Sequence, residues 1–138
     1  MDKDLQKKLF NEFPNLYEQA KLSPRESCMG RGICCGAGWF NIINDLSEKI
    51  SKADPEVQAV QVKEKFGGLR FYIGGVKKET GDKIYDLINK AEDEAWKTCE
   101  KCGSKEDVDQ TSGWIFTLCK KCRDEKKKNP DWRISDNT

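Results

Sequence analysis

The sequence predicts an α+β fold, a small helix-packed β-hairpin or sheet that runs into a C-terminal four-cysteine module. Three observations predict it. Apolar residues recur at helical spacing over three separate stretches. Two strand-like runs meet at the glycine pair Gly67-Gly68. Cys99 and Cys102, then Cys119 and Cys122, form a C-x2-C, sixteen-residue gap, C-x2-C pattern.

The elements follow in order. Leu5, Leu9, Phe10 and Phe13 lie on one helical face until Pro14 breaks the run ahead of Leu16 and Tyr17. Residues 21–38 change to Ser, Pro, Gly and Cys, which marks a loop. Residues 39–50 return to helical spacing, with Trp39, Ile42, Ile43, Leu46 and Ile50 on one stripe. With Gly67-Gly68 as a two-residue turn, Phe66 pairs with Leu69, Lys65 with Arg70, Glu64 with Phe71, Lys63 with Tyr72 and Val62 with Ile73. One face then carries Val62, Phe66, Leu69, Phe71 and Ile73 as core, with Glu64 as an anomaly among them. Residues 81–96, capped near Thr80 or Asp82, place Ile84, Leu87, Ile88, Ala91 and Ala95 on a stripe that packs on the hairpin.

The cysteine spacing is that of a tetrahedral zinc site. Four thiolates close the shell of a borderline-soft d10 ion and leave no position for substrate, so the expected cofactor is one structural Zn2+. Free or disulfide-paired cysteines are the competing possibility, and the spacing disfavours it. Thr98-Cys99-Glu100-Lys101-Cys102-Gly103 resembles a zinc knuckle, with Gly103 free to take a positive φ. Trp114, Phe116 and Leu118 alternate as a half-buried strand does, and Cys119 and Cys122 run into a helix-compatible segment that stops at Pro130. Knuckle, hairpin and helix in that order are similar to a treble-clef finger. Lys97, Lys101, Lys120 and Lys121 lie beside the dianionic centre. The expected organisation is a body over residues 1–97, a zinc module over 98–128 continuous with it, and a frayed polar tail over 129–138.

Composition narrows the chemistry. The chain has 138 residues, 36% of them charged and 36% apolar, which implies a modest core that leans on its metal. A net charge of +1 removes any whole-molecule attraction to nucleic acid and leaves only local patches. No apolar run is long enough to span a bilayer, and Met1-Asp2-Lys3-Asp4 opens into charged sequence without a signal peptide, so a cytoplasmic protein is expected. Histidine is absent, which removes imidazole-based hydrolysis, HNH-type nuclease chemistry and His-ligated catalytic metals; the expectation is a non-enzyme.

Three segments are candidate binding surfaces. The hairpin's polar face carries Lys63, Lys65, Arg70 and Tyr72, where a like-charge cross-strand pair costs stability unless an anion covers it. A solvated strand face competes with that reading. In the loop from Cys28 to Trp39, Arg31 and Trp39 join the candidates, and Gly36 and Gly38 before a helix offer amides as an anion nest; a plain tight turn with Trp39 in the core is the competing reading. Cys28, Cys34 and Cys35 are three thiols with no histidine to complete a second metal site, and buried free cysteines are the default. The basic run Lys120, Lys121, Arg123, Lys126, Lys127, Lys128 and Arg133 is interleaved with Asp124, Glu125 and Asp131, as on a solvated helix face.

The order of Phe13-Pro14-Asn15-Leu16-Tyr17, Cys28-Met29, Cys35-Gly36-Ala37-Gly38-Trp39-Phe40, the run from Val62 to Tyr72 and the terminal cysteine pairs resembles a widespread family of small uncharacterised bacteriophage proteins. The resemblance spans about Leu9 to Cys122. Family members often carry an acidic residue between the two loop glycines, where this chain has Ala37; that departure favours binding over chemistry. The resemblance implies a viral protein in a bacterial host's cytoplasm. The expected function is a non-catalytic phage accessory protein that binds a host protein, such as a defence component, or sequesters its anionic nucleotide signal. A nucleic-acid-binding zinc protein is the alternative.

Overall fold

The computed structural model describes residues 1–134. Helix α1 (Lys3–Glu12) starts where the Asp2 carboxylate accepts the Leu5 N–H at 3.0 Å, and it stops at Phe13, before Pro14. Its Gln6 side chain accepts the Ile33 N–H at 2.9 Å and so holds strand β1 (Ile33–Cys34) in place. The sequence placed these two residues in a loop, because so short a strand shows no periodicity. β1 pairs in parallel with β2 (Gln58–Lys65), and β2 pairs antiparallel with β3 (Gly68–Gly74), giving a sheet of order β1-β2-β3.

Two helices complete the body. Helix α2 (Phe40–Ala53) buries Ile42, Ile43, Leu46, Ser47 and Ile50, and packs against α3 (Lys78–Ala95), which buries Ile84, Ile88, Ala91 and Ala95. α3 begins three residues before the expected start. Thr80 does not cap it; its hydroxyl donates to the buried Asp54 carboxylate at 3.2 Å and ties the start of α3 to the end of α2. Tyr17 reaches into the same core, with its hydroxyl 2.6 Å from the Ser47 hydroxyl. Ser47 donates to the Ile43 carbonyl at 2.7 Å, so Tyr17 is the donor to Ser47. Tyr17→Phe is expected to cost about 1 kcal/mol, read as a lower denaturant midpoint at unchanged slope. An unchanged midpoint would remove this pair from the core's energetics.

The hairpin corrects the expected register by one position on each strand. Lys65 pairs with Gly68, Glu64 with Leu69, Lys63 with Arg70, Val62 with Phe71 and Gln61 with Tyr72. The turn is Phe66-Gly67, with φ of +54° and +83°, the positive pair that a type I′ turn needs. Phe66 is therefore 67% exposed at the tip instead of in the core. Two contacts decide the register: Glu64 accepts the Gly67 N–H at 2.7 Å, and the Gly67 carbonyl accepts the Thr117 hydroxyl at 2.6 Å. The shift moves both strands together, so each residue keeps its face. Val62, Leu69 and Phe71 stay buried, and Lys63, Lys65, Arg70 and Tyr72 stay together on the other side.

The C-terminal module has the knuckle, hairpin and helix in treble-clef order. Gly103 takes φ +83° and donates to the Cys99 carbonyl at 2.9 Å. β4 (Val108–Gln110) pairs antiparallel with β5 (Thr117–Cys119), and α4 (Lys120–Lys128) follows at once and carries Cys122. The strand expected from Trp114 onward is shorter than its alternation implied: Trp114 lies in the connecting turn, 79% exposed. Of the tail expected to fray, residues 129–134 fold back instead. The Trp132 ring meets Phe116 edge-on at 5.4 Å, and Ile134 packs on the module's core. Residues 135–138, also assigned to that tail, lie outside the described residues.

Candidate functional site

The four cysteines of the pattern converge as the spacing predicts. Their sulfurs all lie within 4.8 Å of one another, with Cys102 Sγ and Cys119 Sγ 3.7 Å apart. A tetrahedral ion with metal–sulfur bonds of about 2.3 Å holds its sulfurs about 3.8 Å apart, so the donor set fits a metal. Cys99, Cys119 and Cys122 are buried and Cys102 is exposed. Burial and the charge on Cys99 push the Cys122 thiol far up. For Cys119, burial acts upward, but hydrogen bonds from the Cys122 amide and neighbouring thiols bring it below the usual thiol value. Four thiolates cannot share this volume without a cation between them. The closed sulfur shell leaves no position for a substrate.

The remaining cysteines stay apart from this cluster. Cys28 and Cys34 are exposed and Cys35 is buried, and among the described residues they enter no group of three or more metal-binding side chains. Burial, and then the Glu100 carboxylate, push the Cys35 thiol far up, which makes it a poor nucleophile.

Between module and body runs a clamp that the sequence did not disclose. Gly38 donates its N–H to the Glu100 carbonyl at 2.8 Å, and Gly36 donates to Glu100 Oε2 at 2.8 Å. Trp39 is 0% exposed, and its indole donates to the Thr98 carbonyl at 2.9 Å. Glu100 N–H in turn donates to the Thr117 carbonyl at 2.9 Å. These facts bear out the tight turn with Trp39 in the core and correct the two alternatives to it. The amides proposed as an anion nest are taken by the chain's own knuckle, and Trp39 is a buried strut with no surface for a partner. Glu100 is 1% exposed; burial pushes its carboxyl up to about 7, the Gly36 amide draws it down, and the neighbouring Glu64 adds to the rise. Its Oε1 has no hydrogen-bond partner among the described residues. No sequence signal marks Glu100, because its surroundings arise only when the loop and the knuckle dock.

Lys63, Lys65, Arg70 and Tyr72 lie together on one face of the hairpin, in a register other than the one expected. Lys63 faces Arg70 directly, where the sequence had paired Lys65 with Arg70. Among the described residues, Lys63, Lys65 and Arg70 make no ion pair, although the Arg70 charge is felt by Glu92 on α3. Tyr72 is exposed beside them. Past the tip, a groove of about 430 Å³ lies between Phe66 and Lys65 on one side and Trp114 and Ile115 on the other. Neither Phe66 nor Trp114 was expected at the surface, because apolar periodicity reads any large ring as core. Arg31 lies elsewhere, exposed at a separate cavity near α1.

Three basic residues of α4 are engaged within the chain. Arg123 donates to the Leu118 carbonyl at 2.7 Å and to the Asp107 carbonyl at 2.9 Å, Lys120 pairs with Asp124 at 3.0 Å, and Lys126 sits over the Phe116 and Trp132 rings. Among the described residues no helix is long and apolar enough to cross a membrane. Compared with protein-family models, curated proteins and solved structures, the chain matches none.

Proposed function

We propose that the protein is a non-catalytic phage accessory protein that binds an acidic surface of a host protein, such as a component of antiviral defence, in the bacterial cytoplasm. We further propose that Cys99, Cys102, Cys119 and Cys122 hold one structural Zn2+, which stiffens the binding surface and takes no part in chemistry. The observation that carries the binding proposal is the Lys63–Arg70 cross-strand pair, which has no ion pair among the described residues and lies beside Lys65 and Tyr72. Like charges set opposite one another destabilise a sheet, and an anionic partner reverses that sign. Exposed Phe66 and Trp114 add the aromatic anchors that, with Arg, dominate interface hot spots. The viral and host setting rests on the family resemblance alone.

One observation favours nucleic acid as a second reading. Phe66 and Trp114 flank a groove that Lys65 also lines, and exposed rings beside a cation can stack unpaired bases. Salt separates the two. Counterion release costs a nucleic-acid complex on the order of a hundredfold or more in affinity between about 50 and 200 mM salt, whereas a packed protein interface changes little. The test is affinity capture from bacterial lysate with wild type and Arg70→Ala, followed by a salt series on the captured component. Arg70→Ala is expected to abolish capture, with circular dichroism and metal content unchanged. A variant that unfolds, or one that still captures the component, would sink the assignment.

A further inference from the structure

The hairpin turn carries a residue that folding alone does not select. Phe66 has φ +54° at the first central position of the type I′ turn, where asparagine, aspartate or glycine is favoured and an aromatic side chain is strained. Its ring gains no burial in exchange, being 67% exposed. Backbone strain that neither packing nor turn chemistry repays points to function.

A second exposed ring faces it from the other module. Trp114, in the turn between β4 and β5, is 79% exposed; with Gly113 and Ile115 it walls the groove of about 430 Å³ whose opposite side is Phe66, Lys65 and Glu64. The two walls are fixed to each other. The Thr117 hydroxyl donates to the Gly67 carbonyl at 2.6 Å, Gln110 Nε2 donates to the Thr117 hydroxyl at 3.2 Å and to the Trp96 carbonyl at 3.1 Å, and a Cβ on Gly67 would lie 2.8 Å from Ile115 Cγ2. Thr117 stands two residues before Cys119 of the four-cysteine cluster, so the groove keeps its shape only while that module is folded.

The charges around the groove select its occupant. Lys65 lines it, with Nζ 5.6 Å from the centre of the Phe66 ring, and Lys63 and Arg70 follow on the same face of the hairpin. Two acids stand near them. Glu64 lines the groove and accepts the Gly67 N–H, and Glu92 on α3 feels the Arg70 charge without pairing with it among the described residues. A nucleic-acid strand would bring a phosphate with every nucleotide past Glu64, with Lys65 as the one cation lining the groove to meet them. A second copy docked about a two-fold axis would bring the same cations together. A peptide escapes both conflicts, since it can present one large apolar side chain to the rings and place single carboxylates at the cations.

We propose that the groove between Phe66 and Trp114 receives one large apolar side chain from an extended segment of the partner protein, and that acidic residues flanking that side chain meet Lys65, Lys63 and Arg70. This rests on the reading of the hairpin as a protein-binding surface and names what that surface recognises.

The test is selection of a random dodecapeptide library on the metal-loaded full chain, which is expected to enrich an aromatic or large aliphatic residue flanked by Asp or Glu. A synthetic peptide of the enriched sequence is then titrated against variants. Phe66→Asn is expected to weaken it about tenfold or more while raising the denaturant midpoint, because asparagine suits the turn and lacks the ring. Trp114→Ala is expected to weaken it about tenfold or more at an unchanged midpoint, and Tyr85→Ala, an exposed ring of α3 outside the groove, to leave it within about twofold. No enrichment, a consensus without acidic residues, a peptide indifferent to both groove variants, or a Phe66→Asn midpoint below wild type would each overturn the proposal. So would oligothymidylate binding tighter than the peptide, or a dimer in sedimentation that Phe66→Asn dissolves, because the groove would then belong to nucleic acid or to a second copy. The host-protein reading is scored apart from this one. Lysate capture that needs Arg70 but ignores Phe66→Asn and Trp114→Ala overturns the groove and leaves that reading in place, whereas ring-dependent peptide binding beside capture indifferent to Arg70→Ala upholds the groove and overturns that reading.

Discussion

Stripping the metal from the four cysteines is expected to unfold the C-terminal module and to release the loop that it holds against the body. Structural zinc contributes about 10–16 kcal/mol of apparent binding free energy in small finger domains, and a whole domain is stable by only about 5–15 kcal/mol. The module's own apolar core is small: Leu118 and the cysteines themselves, with Val108, Phe116, Trp132 and Ile134 partly buried around them. Without a cation, burial and the neighbouring thiols force Cys102 and Cys122 to hold their protons, as their upward shifts reflect. The knuckle then has nothing to fold around. The loss reaches the body because Gly36, Gly38 and Trp39 all bond to residues of the knuckle or the one preceding it. Thiol titration reads the outcome directly. Of the seven cysteines, the metal-loaded protein is expected to expose Cys28 and Cys34 to reagent, with Cys35 slow and the other four protected. Chelation, or Cys119→Ser, is expected to free the protected thiols and to erase much of the near-UV circular dichroism. A chelated protein that keeps its thermal midpoint and its protected thiols would refute a structural role for the site.

What the sequence disclosed and what it hid divide along one physical line. Features repeated along the chain were legible. The stripe Ile42, Ile43, Leu46, Ile50 is buried as its spacing required, the stripe Ile84, Leu87, Ile88, Ala91, Ala95 is buried except for the partly buried Leu87, and the two C-x2-C pairs converge on one point. Membership of the hairpin's faces was legible too, because alternation survives a paired shift of both strands. The turn itself was not. Gly67-Gly68 is the better turn by composition, and Phe66-Gly67 is held instead by the Glu64 carboxylate on the Gly67 N–H together with Thr117, some fifty positions on, donating to the Gly67 carbonyl. Gly36 and Gly38 make the tight entry with Trp39 in the core that the sequence offered beside the anion nest, but what they pack against was hidden for the same reason. Two glycines before a helix announce close approach of something, and only the folded chain identifies it as the backbone of Glu100 and Cys99. Glu100 and the rings of Phe66 and Trp114 were missed because burial of a charge and exposure of an aromatic both contradict residue type, and a periodicity argument has only residue type to work with.

Gly38→Ala is expected to be strongly destabilising although it adds a single methyl group. A Cβ at this position would lie 2.1 Å from the Cys99 carbonyl oxygen and 2.6 Å from the Glu100 carbonyl carbon, both backbone atoms of the knuckle. Neither can swing aside as a side chain would, because Cys99 carries a ligand sulfur and its carbonyl already accepts the Gly103 N–H. The loop must therefore withdraw by about an ångström or more, breaking the Gly38–Glu100 hydrogen bond and dragging Trp39 from its bond to Thr98. Overpacking, together with the loss of buried hydrogen bonds, sets the cost on the order of 3 kcal/mol or more. Gly113→Ala supplies the contrast. That glycine has φ +74° but nothing within 4 Å of a Cβ, so only the backbone conformation resists and the cost is about 1 kcal/mol. Denaturant titration of the two variants in the metal-loaded state is expected to place the midpoint of Gly38→Ala well below that of Gly113→Ala. Because the strain falls on the knuckle, Gly38→Ala is also expected to lose metal to a chelator faster than wild type, whereas Gly113→Ala keeps the wild-type rate. Equal midpoints for the two would mean that the loop and the knuckle do not meet as closely as the fold requires, and the coupling between metal site and body would fall with them.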